Sequence, residues 1–255
     1  MTLKELVKES YFYTKNGMLL HGDCFEYLKK IPNQSVDLVI TDPPYGIDYK
    51  SFRTLKGGIK NDNTLEWAED FFKDLSQKVK PDSHLYCFTD FEMMPDFVFQ
   101  IRKYWKIRNL LNIPRAVKGN GGDRIFQQQF EYCIFATKGK GRRFEETKIL
   151  EPGEGYKKDK RYNAKEWLYR LPDHWYWAKA SAHNLKRIHT TQKDVGCIKN
   201  MIEISSKPKE IILDPFAGVC TTAIACEELN RKWICIEIEE DWCKKSVEHI
   251  KASIQ

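Results

Sequence analysis

Hydrophobic and polar positions come in blocks along the 255 residues. Short apolar runs bounded by turn residues read as buried strands, and apolar positions recurring at three- and four-residue steps read as helices. Residues 18–20 and 36–41 predict strands, with a helix at 24–31 between them. Leu65, Ala68, Phe72, Leu75 and Val79 fall at helical spacing within 64–79, and Pro81 follows the end. Residues 85–88, 107–113 and 130–136 predict further strands, and 92–104 a helix. The loop "AVKGNGGDR" joins the last two of these strands. Periodicity fades from 138 to 193. It returns as a helix at 195–205, a strand at 210–213, a helix at 221–229, a strand at 233–236 and a helix at 240–250. Strands alternating with helices predict an α/β fold, with a mostly parallel sheet covered by helices on both faces.

Composition refines this picture. A hydrophobic content of 42% is enough for a core, and the length suits one large domain carrying a substantial insertion. No run of about 18 apolar residues suggests a membrane span. The start, "MTLKELVKESYFYTKNG", lacks the apolar core of a secretory signal, so a cytoplasmic protein is expected. The eight cysteines form no Cys-x-x-Cys pair and several sit in apolar runs, which predicts reduced, buried thiols and no zinc site.

The net charge of +6 is unevenly placed. Residues 138–193 hold 15 Lys and Arg against 7 Asp and Glu, a net +8, so the remainder sums to −2. The same stretch carries Phe144, Tyr156, Tyr162, Trp167, Tyr169, Trp175, Tyr176 and Trp177. Bases interleaved with aromatics suit a polyanion that also offers flat rings, and a solvated surface insertion is the alternative.

Two motifs carry candidate chemistry. The strand at 36–41 stops at Asp42-Pro43-Pro44-Tyr45. Prolines fix φ and lack an N–H, so this is a stiff, extended turn between an acid and an aromatic. Residues 211–225, "IILDPFAGVCTTAIA", read as strand, turn and helix, where ligands bind in open α/β sheets. Beyond Asp214 the next strand ends in Glu237, an acid placed to accept hydrogen bonds from ribose hydroxyls. The spacing fits a nucleoside cofactor, and the absence of Gly-x-Gly-x-x-Gly counts against NAD.

"DPPY" after one strand and "DPFAGVCTT" after a later one resemble the two signatures of S-adenosylmethionine-dependent amino-methyltransferases acting on DNA. The catalytic motif comes first and the cofactor motif last, which resembles the circularly permuted β group of that family. "HTTQKDVGCIKNMI" at 189–202 is similar to its His-Pro-Thr-Gln-Lys-Pro segment, and "LLHGDCFEYLKKIP" to its opening Gly-Asp element. This chain has Cys220, and also Cys235, where the family commonly has Gly, and Thr190 and Asp194 where it has Pro.

The resemblance implies a Rossmann-like methyltransferase sheet. Its catalytic half would be 1–137, a target-recognition insertion 138–188 and its cofactor half 189–255. It implies catalysis by Asp42, Pro43, Pro44 and Tyr45. Cofactor contacts would come from Asp23, Cys24, Thr191, Gln192, Lys193, Asp214, Pro215, Phe216, Gly218, Thr221, Glu237 and Ile238. Asp23 is equally suited to cap the helix that follows it. Arg142, Arg143, Lys157, Lys158, Lys160 and Arg161 would meet phosphates of double-stranded DNA, and Glu131 and the "GNGG" loop would border the site.

The expected reaction is methylation of adenine N6 on a flipped base, giving S-adenosylhomocysteine, with no metal. Adenine is favoured over cytosine N4 because the cytosine group commonly carries Ser in place of Asp42. An RNA amino-methyltransferase and a catalytically weak DNA-binding protein are the alternatives. A homodimer and a cognate restriction endonuclease are the partners the resemblance admits. No endonuclease-like Pro-Asp…Asp/Glu-x-Lys pattern is evident, so methylation without cleavage is expected.

Overall fold

Leu38 and Ile40 point to one face of strand β3 (Val36–Thr41) and Val39 to the other, and all six residues of the strand are buried. That is the pattern of a strand inside a sheet covered on both sides. The computed structural model describes residues 1–44, 65–114, 124, 126, 127, 129–145 and 193–254. Around β3 it builds an eight-stranded sheet from β1 (Phe12–Tyr13), β2 (Gly17–His21), β4 (Val79–Thr89), β5 (Lys106–Pro114), β6 (Phe130–Thr137), β7 (Ile211–Asp214) and β8 (Lys232–Glu237). The order is β1-β2-β8-β7-β3-β4-β6-β5. The five strands from β2 to β4 run parallel, while β1 and β6 are antiparallel to their neighbours.

Helices cover both faces. Leu38, Tyr86 and Phe135 pack with Ile198, Met201 and Ile202 of α5 (Val195–Ser205) and with Ile224 of α6 (Thr221–Glu228). Val39, Leu85 and Leu213 pack with Leu28 of α2 (Cys24–Lys30), Phe71, Phe72 and Leu75 of α3 (Ala68–Lys78), and Phe97 of α4 (Met94–Ile101). Ile250 of α7 (Glu240–Ser253) joins the first core, and Leu6 of α1 (Leu3–Leu6) the second.

The predicted strands and helices all appear, most of them with shifted ends. β4 begins directly after α3 rather than at Leu85, because residues between Val79 and His84 loop out of the ladder with β3. Pro81 and Asp82 (φ 62) occupy that irregularity, where a proline removes no ladder bond. α4 starts two residues late because Pro95 sits in its first turn, where its missing N–H is harmless. α1 and the two-residue β1 escape the sequence pattern, being too short to show a period.

All eight cysteines are free and buried. No described helix is long and apolar enough to cross a membrane, and no group of three or more His, Cys, Asp or Glu among the described residues is placed to hold a metal. Most of the basic aromatic insertion, 146–192, lies outside the described residues.

Candidate active site

Adjacent parallel strands bring the two motifs to one edge. Leu38 and Val39 of β3 pair with Ile212 and Leu213 of β7, so the chain leaves both strands side by side, into Asp42 and into Pro215. On the other side of β7, Asp214 pairs with Cys235 of β8, and Glu237 then pairs with His21 of β2. The carboxyl edge therefore presents Asp23, Glu237, the 215–220 turn and Asp42 in that order. The chain proceeds outward from β3 to β4 and from β7 to β8, which makes the gap between them the switch point where α/β sheets bind ligands.

Two buried acids shape the turn. Asp214 accepts hydrogen bonds from the Phe216 N–H at 3.2 Å and the Thr222 hydroxyl at 2.6 Å. Glu237 accepts from the Gly218 N–H at 2.8 Å and the Glu239 N–H at 2.9 Å. Burial pushes both carboxyls up to about 7, and these donors pull back only part of that shift. The Gly218 carbonyl is held in turn by the Ser246 hydroxyl at 3.0 Å. Gly218 has φ +52, and a Cβ built there would meet no atom within 4 Å, so a ligand can approach its backbone closely. Cys220 caps α6 in the left-handed region, at φ 56 and ψ 40. Thr221 and Pro215 are buried, while Ile238 is half-buried at the end of β8. The half-buried Phe216 ring packs against Trp67 and Phe71 at 5.9 and 5.2 Å.

Asp23 caps α2, accepting from the Phe25 N–H at 2.8 Å, so the capping role is real. A carboxylate has acceptor sites left over for an amino group. Cys24 turns its thiol into the core, where burial, helped by Asp23, raises it to about 12, so only its backbone remains for a ligand.

At the other end of the edge Asp42 and Pro44 are half-buried and Pro43 is buried. Lys193 Nζ stands 2.9 Å from Asp42 Oδ2 and 3.4 Å from Glu131 Oε2, and 4.6 Å from the centre of the Phe88 ring. Burial pulls the Lys193 pKa down, but the two carboxylates more than offset it and hold the ammonium above its ordinary range. The next residue, Asp194, caps α5 through the Cys197 N–H at 2.9 Å. The acid standing where the family has Pro thus fixes the start of the helix that follows Lys193. Lys193, expected beside the methionine end of the cofactor, is engaged by the acid of the first motif.

Arg142 requires a correction. Its guanidinium pairs with Glu210 at 2.7 Å and Glu145 at 2.9 Å, and its N–H bonds the Asp82 carbonyl, at the opposite end of the sheet where β7 begins. Both its charge partners are internal carboxylates, so it is not a phosphate contact at the site. Arg143 follows it there, exposed. Tyr45, Thr191, Gln192, Lys157, Lys158, Lys160, Arg161 and the "GNGG" loop lie outside the described residues. Sequence reasoning missed Thr222 and Phe88. The doubled Thr of "CTT" at the start of a helix was the available signal for the first, since one turn of helix brings it back over the strand end.

Comparison with known proteins points the same way. A family model described as DNA methylase matches residues 36–248. The DNA adenine methyltransferase YhdJ of Escherichia coli (strain K12) is 29% identical over 246 residues, spanning 91% of this chain and 82% of that protein. The Type II methyltransferase M.HinfI of Haemophilus influenzae is 28% identical over 261 residues, spanning 91% and 68%. The structure of the M1.HpyAVI–SAM complex matches with a TM-score of 0.63 at 23% identity, over 91% of this chain and 99% of that one. PvuII DNA methyltransferase (cytosine-N4-specific) matches with 0.71 at 16% identity, over 96% and 94%. At these identities the two structures speak for the fold, a Rossmann-like methyltransferase sheet.

Proposed function

The chain belongs to the DNA methylase family, and from that premise we propose that it methylates the exocyclic N6 of adenine in double-stranded DNA, using S-adenosylmethionine. The observation that carries this reading is the adjacency of Asp42 and the 215–220 turn on neighbouring strand ends. The choice of adenine rests on the acid at position 42 and on the printed activity of the relative YhdJ.

An exocyclic amine is a poor nucleophile because its lone pair is delocalised into the ring. Asp42's carboxylate accepts one N–H and the Pro43 carbonyl the other, which favours a pyramidal nitrogen and exposes the lone pair. The prolines hold that carbonyl in place, so both acceptors are preorganised and aligned. Tyr45 offers a stacking face to the flipped base, offsetting part of the few kcal/mol of unstacking.

S-adenosylmethionine supplies an activated sulfonium methyl. The chain would hold it by Glu237 at the ribose hydroxyls, Asp23 at the adenine amino group and Phe216 at the ring. Backbone at Gly218 and side chains of Thr221, Thr191, Gln192 and Lys193 would lie toward the methionine end. The open approach over Gly218 and the buried acceptor pair fit such a ligand.

The segment 138–188 serves as target-recognition region in this reading, with Lys157, Lys158, Lys160 and Arg161 toward phosphates. The protein acts in the cytoplasm without cleaving DNA. A second copy of the chain and an endonuclease of the same specificity are the partners this reading admits.

The test is to incubate the purified chain with unmethylated DNA and methyl-labelled cofactor, then digest to nucleosides. Label in N6-methyladenine is expected. Label in N4-methylcytosine would move the reading to the other base, and no cofactor binding at millimolar concentration would leave only a DNA-binding protein.

A further inference from the structure

Charge divides the two edges of the sheet. The parallel strands β2, β8, β7, β3 and β4 all start at one edge, where β6 ends and β5 starts. The turns along this amino edge, at 14–16, 35–37, 79–83, 105–108, 138–145, 207–211 and 230–232, hold twelve Lys and Arg against four Asp and Glu. The described segments at the carboxyl edge, 21–24, 42–44, 89–93, 129–131, 193–194, 214–220 and 237–241, hold eleven Asp and Glu against Lys193. Among the described residues, then, attraction for phosphate lies away from the candidate active site.

The four acids of the amino edge are occupied. Asp37 accepts from Lys80 at 2.7 Å and from the Ile211 N–H at 2.9 Å. Glu145 and Glu210 hold Arg142, and Asp82 accepts from the Gly141 N–H at 3.1 Å. Among the described residues no acid pairs with Lys15, Lys106, Lys138, Lys140 or Lys209, and all of these but Lys138 are exposed. Their backbone is held in part by the body. Segment 138–145 crosses from the end of β6 to the end of α5, pinned by bonds from the Lys138, Arg142 and Glu145 N–H groups to the Ser83, Asp82 and Ile204 carbonyls at 2.9, 2.8 and 2.8 Å.

None of the described large apolar side chains that are exposed belongs to these turns. The edge thus offers charge without the apolar core of a protein interface, which suits a polyanion. From β2 to β5 the row crosses six strand spacings, about 29 Å. A duplex carries one charge per about 1.7 Å of axis, so a straight segment can follow the whole row. The six residues of β3 set the two edges about 20 Å apart, and DNA is stiff over about 150 base pairs. A segment lying here is therefore not the stretch that presents its base to Asp42.

Resting on membership of the DNA methylase family, we propose that the amino edge of the sheet is a second DNA-contacting surface. It holds the phosphate backbone of a duplex segment other than the one at the methylation site, and it reads no bases.

The test counts duplexes bound to the full chain, using a labelled duplex of about 20 base pairs of arbitrary sequence, roughly 70 Å long. The wild type is expected to bind two, the second with an affinity that falls steeply with salt. A variant carrying Lys15→Gln, Lys106→Gln and Lys209→Gln should lose roughly tenfold or more in that second event at 0.1 M salt. Its slope of log affinity against log salt should be shallower by about 2 to 3. Its affinity for S-adenosylhomocysteine should stay within about twofold of wild type. A control of equal charge change, Lys4→Gln with Lys244→Gln and Lys245→Gln, should keep the second event. A wild type that binds one duplex, a second event unchanged in the amino-edge variant, or an equal loss in the control overturns the proposal. Self-association of the wild type at low salt without DNA, abolished in the amino-edge variant, would assign the edge to a second copy and also overturn it. Should the triple variant fail to fold, each single substitution should lower the slope by about 1, and no change overturns the proposal. Methylation of DNA by a wild type that lacks the second event strikes this proposal alone; a second event in a wild type that methylates nothing strikes the methyl-transfer reading instead.

Discussion

Cys220 occupies a left-handed backbone position, φ 56 and ψ 40, that costs a residue with a Cβ roughly 1–2 kcal/mol. It is also fully buried, so its thiol contributes packing. Cys220→Ala loses the thiol and keeps the strain, whereas Cys220→Gly loses the thiol and relieves it. The Gly variant is therefore expected to be more stable than the Ala variant by about 1 kcal/mol in urea unfolding, reversing the usual helix ranking. Glu237 gives a second residue-scale prediction. An ionised carboxylate is the better acceptor for ribose hydroxyls, and burial places its titration at about 7. Cofactor affinity should fall up to about tenfold between pH 8 and pH 6, and Glu237→Gln should flatten that dependence. Asp42 and Glu237 were legible in the sequence because each ends an apolar run. Thr222's bond to Asp214 and the Lys193 contacts with Asp42 and Glu131 were not, because each joins elements that only the folded chain brings together.

Elements were most legible where burial is symmetric. β3 and α5 match their predicted bounds, since every position of one and a full stripe of the other is apolar or enclosed. Pro81 read as a stop because a proline after a helical pattern commonly is one, yet the chain continues into β4 through a bulge. The Thr2-x-x-Glu5 capping box was a signal for α1 that periodicity does not register. Beyond the pairing of β2 with β8, the turn of the small β1–β2 hairpin is tied to α6 by one carboxylate. Glu227 of α6 accepts from the Thr14 hydroxyl, from Asn16 Nδ2 at 2.5 Å and from Trp233 Nε1 at 2.9 Å. Glu227→Ala strands these donors and is expected to cost about 1–3 kcal/mol by chemical unfolding, with hydrogen exchange rising first in β1 and β2.

At the scale of the whole molecule, buried titratable groups set the pH response of the ligand-free protein. His84 bonds Ser205 at 2.8 Å and the Arg142 carbonyl at 3.0 Å, and burial lowers it to about 4. Its depressed value contributes stability above the ordinary histidine range of about 6.5, lost as pH falls toward 4. Asp214 and Glu237 are raised to about 7, so the folded state holds their protons more tightly than the unfolded chain does. Their contribution is full below about 4 and is lost as pH rises through 7. The window from pH 6.5 to 8 thus belongs to the two acids. The melting temperature should drop across it, and a variant carrying Asp214→Asn and Glu237→Gln should not show the drop. The fold class and the shared edge of the two motifs were legible from motif order. The reversal of Arg142 was not, because its carboxylate partner Glu210 lies 68 residues away in sequence. The proposed function turns on one carboxylate, Asp42. Modification-sensitive sequencing of DNA from a methylation-free host expressing the chain, beside the same host expressing Asp42→Ala, tests it most directly. N6-methyladenine in one recurring sequence context with the wild type, and none with the variant, is the predicted result. Marks that persist with Asp42→Ala, or N4-methylcytosine in their place, would contradict it.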